Sequence, residues 1–244
     1  LAKDLMAKAK SLGVEMRFNT KGIALLTDEK TGAVTGVRVK DKKGLTDLHA
    51  KYGVVLATGG FSANQQLVTQ YIGSAGAKMP IRGSRIIMGE NIRLVDPLFA
   101  KVVNVDQYHC GPIHGPTGAN PLNIVNNGIC VNRQAERFID EGQTYVQMSR
   151  DVAAMTPDNW AFMVCDQKAR EIPILKPDFA SYERAKAPIY QGNTIEEAAK
   201  AAGLDPAKLA KTVADYNAAV KADARAKLVP TNTLPKAPVI DKAP

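Results

Sequence analysis

Long apolar runs are missing from this sequence: nowhere do about 20 hydrophobic residues follow one another, which excludes a helical membrane span. The opening LAKDLMAKAKSLG is amphipathic and lacks the apolar centre and small-residue cleavage site of a secretory leader, so the chain reads as soluble. Cysteine is scarce. Cys110, Cys130 and Cys165 are odd in number and far apart, which argues against a disulfide framework and against metal-ligand spacing. They read as ordinary thiols in a reducing compartment, the cytoplasm. Aromatic residues make up only 6% and are not interleaved with clustered cations, so the formal charge of +8 describes a solvated surface rather than a nucleic-acid footprint. A basic pocket would equally suit an acidic substrate or a phosphate-bearing cofactor. Internal repeats are also lacking.

What is present is a globular composition, 45% hydrophobic and 23% charged over 244 residues, enough for one large domain or two small ones. The first helix keeps Leu5, Met6, Ala9 and Leu12 on one face and ends at Gly13, a residue suited to the left-handed cap. VEMRFNT alternates as a strand. GIALLTD and AVTGVRVKD flank the turn EKTG, KDKKG reads as a hairpin tip, and LTDLHAKYGVVLAT completes a β-meander followed by a buried strand. A helix is expected over about 64–72, then a loop-rich segment, YHCGPIHGPTGANPLN, with a domain boundary near 107. Beyond it NGICVNRQAERFIDEG reads as a hairpin, 143–154 as a helix and WAFMVCD as a strand. Two helices follow, one with Thr194 as N-cap and Glu197 three residues on, the other with Asp205 as N-cap and Pro206 at its first position. The class is mixed α/β (α+β). Met148, Met155, Met163, Trp160 and Phe162 are expected in the core of the second domain.

The stretch GVVLATGGFSAN, 53–64, bears most directly on chemistry. An apolar strand delivering Thr58-Gly59-Gly60 to a sheet's carboxyl edge places bare backbone where open α/β folds bind ligands. A tight turn that needs positive φ explains the same glycines without any ligand.

The order of a β-meander, VVLATGGFSAN and NGICVNRQAERFIDEG resembles the flavoprotein family of fumarate reductases and succinate dehydrogenases. The closer likeness is to its soluble flavocytochrome-type and tricarballylate dehydrogenase-like branch. Three stretches carry it: the ATGG turn, VNRQAERFIDE at 131–141, and GNTIEEAAKAAGLDPAKLAKTVADYN at 192–217, so the likeness spans nearly the whole chain, from about Leu1 to Pro238. It implies part of a doubly wound FAD-binding domain with a β-meander over 1–106. An α+β capping domain over 107–235 and a short tail over 236–244 would follow. The implied cofactor is FAD, with Ala57, Thr58, Gly59 and Gly60 beside it, and Gly89 and Glu90 of MGENI standing where the family has a flavin-proximal Gly-Asp-Gly. The family's GxGxxG turn and its returning C-terminal flavin-binding piece have no counterpart here, which implies an internal fragment, inactive alone.

The resemblance further implies hydride transfer between flavin and a small di- or tricarboxylate across a carbon–carbon bond, with a proton moved on the opposite face. Ser149-Arg150-Asp151 is the nearest match to the family's Thr-Arg-Asp triplet, set about five residues farther from Glu141 than in the reductase pattern, and it makes Arg150 the catalytic candidate. A surface cation paired with Asp151 or Glu141 is the competing reading of Arg150. His109 and His114 stand near the family's cap histidine, and His109, Asn120 and Asn123 are the substrate-binding candidates. Asn in a Pro-rich loop is also a common turn former. Pro121, Leu122 and Val125 replace the family's Thr-Glu pair and Arg, so fumarate itself is not implied. Arg137 and Glu141 are expected to fix the hairpin. The reading from another class is a non-catalytic folded module that binds no flavin.

Overall fold

The computed structural model describes residues 1–241 and divides into two compact units. The first holds Leu1–Leu67 with Gly83–Asn104, and the second holds Val68–Arg82 with the described residues from Val105 on.

In the first unit, helix α1 (Ala2–Ser11) carries Asp4 in its first turn and Lys8 and Lys10 in its last, charges that suit the helix dipole. Gly13 closes it at φ +79°: its N–H donates to the Lys10 carbonyl and that of Val14 to the Ala9 carbonyl, each at 3.1 Å. No residue of α1 is buried, so its apolar stripe contributes nothing to a core. VEMRFNT is not a strand. Residues 14–20 have no ladder partner, Asn19 takes φ +54°, and Arg17 closes locally on Glu15 at 2.7 Å.

The meander forms as its alternation predicts. Strands β1 (Lys21–Thr27), β2 (Val34–Asp41) and β3 (Gly44–His49) make an antiparallel sheet in that order, with Val37 opposite Leu25 on one side and Leu48 on the other. Asp28 shapes the first turn by accepting the N–H of Lys30 at 3.0 Å and that of Thr31 at 2.8 Å. Gly36 has no substitute: a Cβ there would lie 2.2 Å from the Leu48 carbonyl oxygen.

GVVLAT departs from expectation. Residues 53–58 are neither strand nor buried, and Val55 is 91% exposed. A strand exists only through its neighbours, and no segment among the described residues pairs with this one. Helix α2 (Gln65–Ile72) follows, capped by Asn64, whose Oδ1 accepts the N–H groups of Gln66 and Leu67.

The second unit takes the residues of α2 from Val68 on, then the short α3 (Ser74–Ala77). Helix α4 (Glu90–Val95) belongs to the first unit and packs against β1. Past Val105, strand β4 (Ile129–Val131) meets β5 (Phe162–Val164) in a two-stranded antiparallel ladder, with Cys130 opposite Met163. The expected hairpin after β4 narrows to one bridge, Val131 with Arg137, around Ala135 at φ +61°. Strand periodicity then divides the core. Ile129 and Val131 face Leu204, Leu209, Val213 and Tyr216, while Cys130 faces Val125, Ile139 and Met148.

Helix α5 (Tyr145–Met155) is capped by Thr144 and buries Met148 and Ala153. Met155, expected inside, sits at its last residue and is exposed, because the helix runs past the core. Helix α6 (Lys176–Ala185) buries Asp178 and Phe179. Helices α7 (Ile195–Ala201) and α8 (Pro206–Lys221) start where the caps predict: Thr194 Oγ1 accepts from Glu197 N–H at 3.1 Å and Asp205 Oδ1 from Lys208 N–H at 3.0 Å. Asn193 N–H returns to Glu197 Oε2 at 2.8 Å, completing the reciprocal pattern of a capping box. The Pro-rich stretch after η-type turn 225–227 lies along this unit with Leu234 and Ile240 buried. Among the described residues no helix is long and apolar enough to cross a membrane.

Candidate functional site

The cofactor candidates lie in the first unit, on two segments that touch. Gly89 N–H donates to the Gly60 carbonyl at 3.2 Å, and Ala63 N–H to the Ile87 carbonyl at 3.1 Å, so the turn after Thr58 and the start of α4 form one backbone surface. Ala57, Thr58, Gly59 and Gly60 are exposed. Gly59 takes φ +83°, and a Cβ on Gly60 would meet nothing within 4 Å. Gly60 therefore leaves main chain open to an approaching group, while Gly59, though exposed, would set a Cβ 3.2 Å from Ile87 Cγ2. Gly89 differs: it is buried, at φ +85°, and a Cβ there would lie 2.7 Å from Leu67 Cδ1 and 3.1 Å from Phe61 Cβ. It is required for packing against the ATGG turn. Glu90 is half-buried, with Oε2 accepting the Met88 N–H at 3.2 Å.

The catalytic candidate lies in the second unit. Arg150 projects from α5 onto the loop 108–111, where its Nη2 donates to the Tyr108 carbonyl and its Cζ stands 4.9 Å from the Tyr108 ring centroid. The reading of Arg150 as a surface cation paired with Asp151 or Glu141 does not hold. Asp151 accepts from Gln143 Nε2 at 3.1 Å and Gln147 Nε2 at 2.8 Å, Glu141 is held elsewhere, and Arg150 has no carboxylate partner among the described residues. Its Nε is buried and unpartnered. His109 is next on the same loop, exposed, with Nε2 3.3 Å from the Tyr145 hydroxyl and its ring edge-on to Tyr145. Cys110 Sγ–H donates to the Val146 carbonyl at 3.5 Å. Burial pushes the Tyr108 hydroxyl and the Cys110 thiol up, each partly offset by the nearby Arg150 charge, so both face the guanidinium uncharged at neutral pH.

Asn120 and Asn123 sit against α6 rather than against Arg150. Asn120 N–H donates to Ser181 Oγ at 3.4 Å, and its side-chain Oδ1 is buried without a partner. Asn123 is committed to Asp178, giving its N–H to Oδ2 at 2.5 Å and its Nδ2 to Oδ1 at 3.2 Å. His114 bonds Thr117 Oγ1 through Nδ1 at 2.8 Å and lies edge-on to Trp160 at 5.6 Å. Among the described residues no hydrogen bond joins this Asn group to the Arg150 loop. The turn after Asn123 places Val125 in one core cluster with Met148 of α5.

The FAD binding domain family matches residues 1–242. This chain belongs to it. The chain is 26% identical over 216 residues to a probable fumarate reductase, Ifc3, of Shewanella frigidimarina, covering 87% of its own length and 36% of that protein. It is 29% identical to an NADH:acrylate oxidoreductase of Vibrio harveyi, covering 84% of itself and 21% of that protein. Among solved structures, the open conformation of a flavocytochrome c3 fumarate reductase superposes with TM-score 0.63 at 26% identity, over 91% of this chain and 38% of the other. A 3-ketosteroid delta1-dehydrogenase from Sterolibacterium denitrificans does so with TM-score 0.69 at 25% identity, over 89% and 42%. The chain thus spans about a third of the length of the first of these relatives. FAD is the family's cofactor, and the exposed, side-chain-free backbone at Gly59 and Gly60 fits it.

Arg137 and Glu141 do fix the hairpin. Their side chains are 5% and 0% exposed. Glu141 Oε1 accepts from Arg137 Nε and the Cys130 N–H, both at 3.0 Å, and Oε2 from Arg137 Nη2 at 2.5 Å and Asn232 Nδ2 at 2.9 Å. Arg137 Nη1 donates to the Pro230 carbonyl at 2.9 Å. A buried pair with every lone pair occupied holds β4 to the C-terminal stretch. Sequence reasoning missed Tyr108, Tyr145 and Asp178. The first acts on Arg150 through its carbonyl as well as its ring, and the other two act across long separations that no local pattern encodes. Among the described residues no group of His, Cys, Asp and Glu could hold a metal ion.

Proposed function

We propose that this chain supplies the flavin-facing turn and the proton-relaying side chain of an FAD-dependent oxidoreductase that adds or removes hydrogen across a carbon–carbon bond beside a carboxylate. The substrate is a small di- or tricarboxylate or a comparable acid. The observation that carries the reading is Arg150: a half-buried guanidinium without a carboxylate partner among the described residues, its buried Nε unpartnered. The uncompensated charge of such a group attracts a substrate carboxylate. The names of three relatives agree in chemistry, since fumarate, acrylate and urocanate each conjugate a carboxylate with a carbon–carbon double bond, whereas the steroid dehydrogenases are named for a ketone.

When bound, FAD supplies the hydride chemistry. Ala57, Thr58, Gly59 and Gly60 offer it exposed main chain, and Gly89 holds that turn in place. Arg150 handles the proton, with His109, Asn120 and Asn123 as the further substrate-facing candidates. Of these, Asn120 has the free acceptor, while Asn123 is already spent on Asp178. The glycines at the ATGG turn lie exposed, which supports a cofactor site only partly built by this polypeptide and inactivity of the chain alone. Three unpaired thiols support a reducing compartment, the cytoplasm.

Replacing Arg150 with Ala in the complete flavin-loaded protein, rather than in this chain alone, is expected to lower turnover by roughly 10² to 10⁴ while the flavin stays bound, as read by its visible absorbance. Turnover retained at the unmodified rate assigns the proton to another group. The rival reading, a folded module without flavin, requires that no flavin be retained by the protein under any loading condition.

A further inference from the structure

Arg150 raises a question of orientation. A long side chain with many rotamers relays a proton only if something fixes it, and carboxylates usually do that for arginine. Here the nearby carboxylates are occupied: Glu141 by Arg137, Cys130 and Asn232, and Asp151 by Gln143 and Gln147. What lies against Arg150 is the loop 108–111, laid along α5 by consecutive contacts. Tyr108 meets Arg150, His109 meets Tyr145, Cys110 bonds the Val146 carbonyl, and Gly111 runs so close to the Tyr145 ring that a Cβ would stand 3.4 Å from it.

We infer that Tyr108 is the positioning residue of Arg150: its carbonyl takes Nη2 and its ring backs the guanidinium, with the buried Nε held in that packing. This rests on the reading of Arg150 as the proton-handling residue. The physical gain is in charge. A carboxylate anchor would cancel the guanidinium's field where the substrate acid must bind, whereas a carbonyl and an aromatic face fix the group and leave its full positive charge available. The buried, unpaired Nε is the expected residue of that arrangement, since Nη2 is used and a second anchor is missing.

The test uses Tyr108→Phe, which keeps ring and carbonyl, and Tyr108→Leu, which keeps the carbonyl alone. In the flavin-loaded protein, Y108F is expected to keep kcat within about twofold and Y108L to lose roughly tenfold in kcat with a smaller change in KM. In the 244-residue chain, the ¹⁵N–¹H resonance of Arg150 Nε, assigned by its loss in R150A, should shift and exchange faster in Y108L and stay in place in Y108F. Should Y108L fail to fold, fluorinated phenylalanine at 108 weakens the ring's negative face at nearly constant volume, and the same losses should grow with fluorine content. An unmoved Nε resonance with unchanged kcat in Y108L or the fluorinated series overturns the inference, even if R150A is inactive. If instead the resonance moves while R150A and Y108L both retain turnover, Tyr108 positions Arg150 but the proton-relay reading fails.

Discussion

Asp140 shows how one carboxylate can make a long-range connection depend on pH. Its Oδ1 accepts the N–H groups of Gly142 and Thr233 at 2.8 and 2.9 Å, and its Oδ2 the Thr233 hydroxyl at 2.7 Å, tying β4's hairpin to a segment 93 residues away. Burial pushes its carboxyl up, but those hydrogen bonds and the Arg137 charge outweigh burial and hold it below the ordinary 3.8. A depressed folded-state pKa means the stabilisation is fully present above the unfolded pKa, near 3.9, and is lost as pH falls through the lower folded value. The urea midpoint of the unmodified chain should therefore exceed that of Asp140→Asn at pH 6, and the gap should narrow as pH falls below the unfolded pKa. A gap independent of pH would show that the loss in the variant is steric. Residues of this kind were only half legible in sequence. The Arg137–Glu141 spacing marked a hairpin brace, but nothing local marked that Asn232 and Thr233 complete it, or that Tyr108, 42 positions before Arg150, would receive its guanidinium.

At the scale of elements, signals within a few residues proved readable and signals that need a distant partner did not. The α7 and α8 starts, the Gly13 closure and the β1–β3 meander follow from caps, left-handed glycine and hairpin alternation, each satisfied inside its own segment. VEMRFNT alternates as a strand and GVVLAT is an apolar run, yet neither has a ladder among the described residues, because such patterns state what could be buried and not whether a neighbour exists. Even β4 takes its main partner from β5 rather than from the adjacent arm of the expected hairpin. Since α8 buries Leu209, Val213 and Tyr216, its first turn controls how that face is held. Asp205→Ala removes the acceptor for Lys208 N–H and should cost about 1 kcal/mol, measured by chemical denaturation of the second unit. Asp205→Ser should recover most of it. An equal loss in both would shift the cause from capping to the Asp charge.

At the scale of the molecule, apolar burial is divided unevenly. All three core clusters draw on residues from Ile124 onward, in the second unit, whereas Val39 and Leu94 are the buried hydrophobics of the first. That first unit also displays Tyr52, Val55, Ile86 and Phe99 almost wholly to solvent, and it carries the ATGG turn proposed to meet the cofactor. Because stabilisation scales with apolar area removed from water, the first unit should open at lower denaturant than the second. The chain has a single tryptophan, Trp160, which lies in the second unit and packs on His114 and Arg133. Its fluorescence therefore reports that unit alone, while far-UV circular dichroism also counts α1, β1–β3 and α4. In a urea titration of the flavin-free chain, ellipticity is expected to begin falling before Trp160 emission moves, a failure of the two-probe coincidence that marks a single transition. Added FAD should bring the two curves together if the cofactor orders the first unit, because a ligand bound only by the folded form raises its stability. Coincident curves without flavin would mean that the sparse core around Val39 and Leu94 suffices, and that the exposure of the ATGG turn reflects a surface needing no ligand.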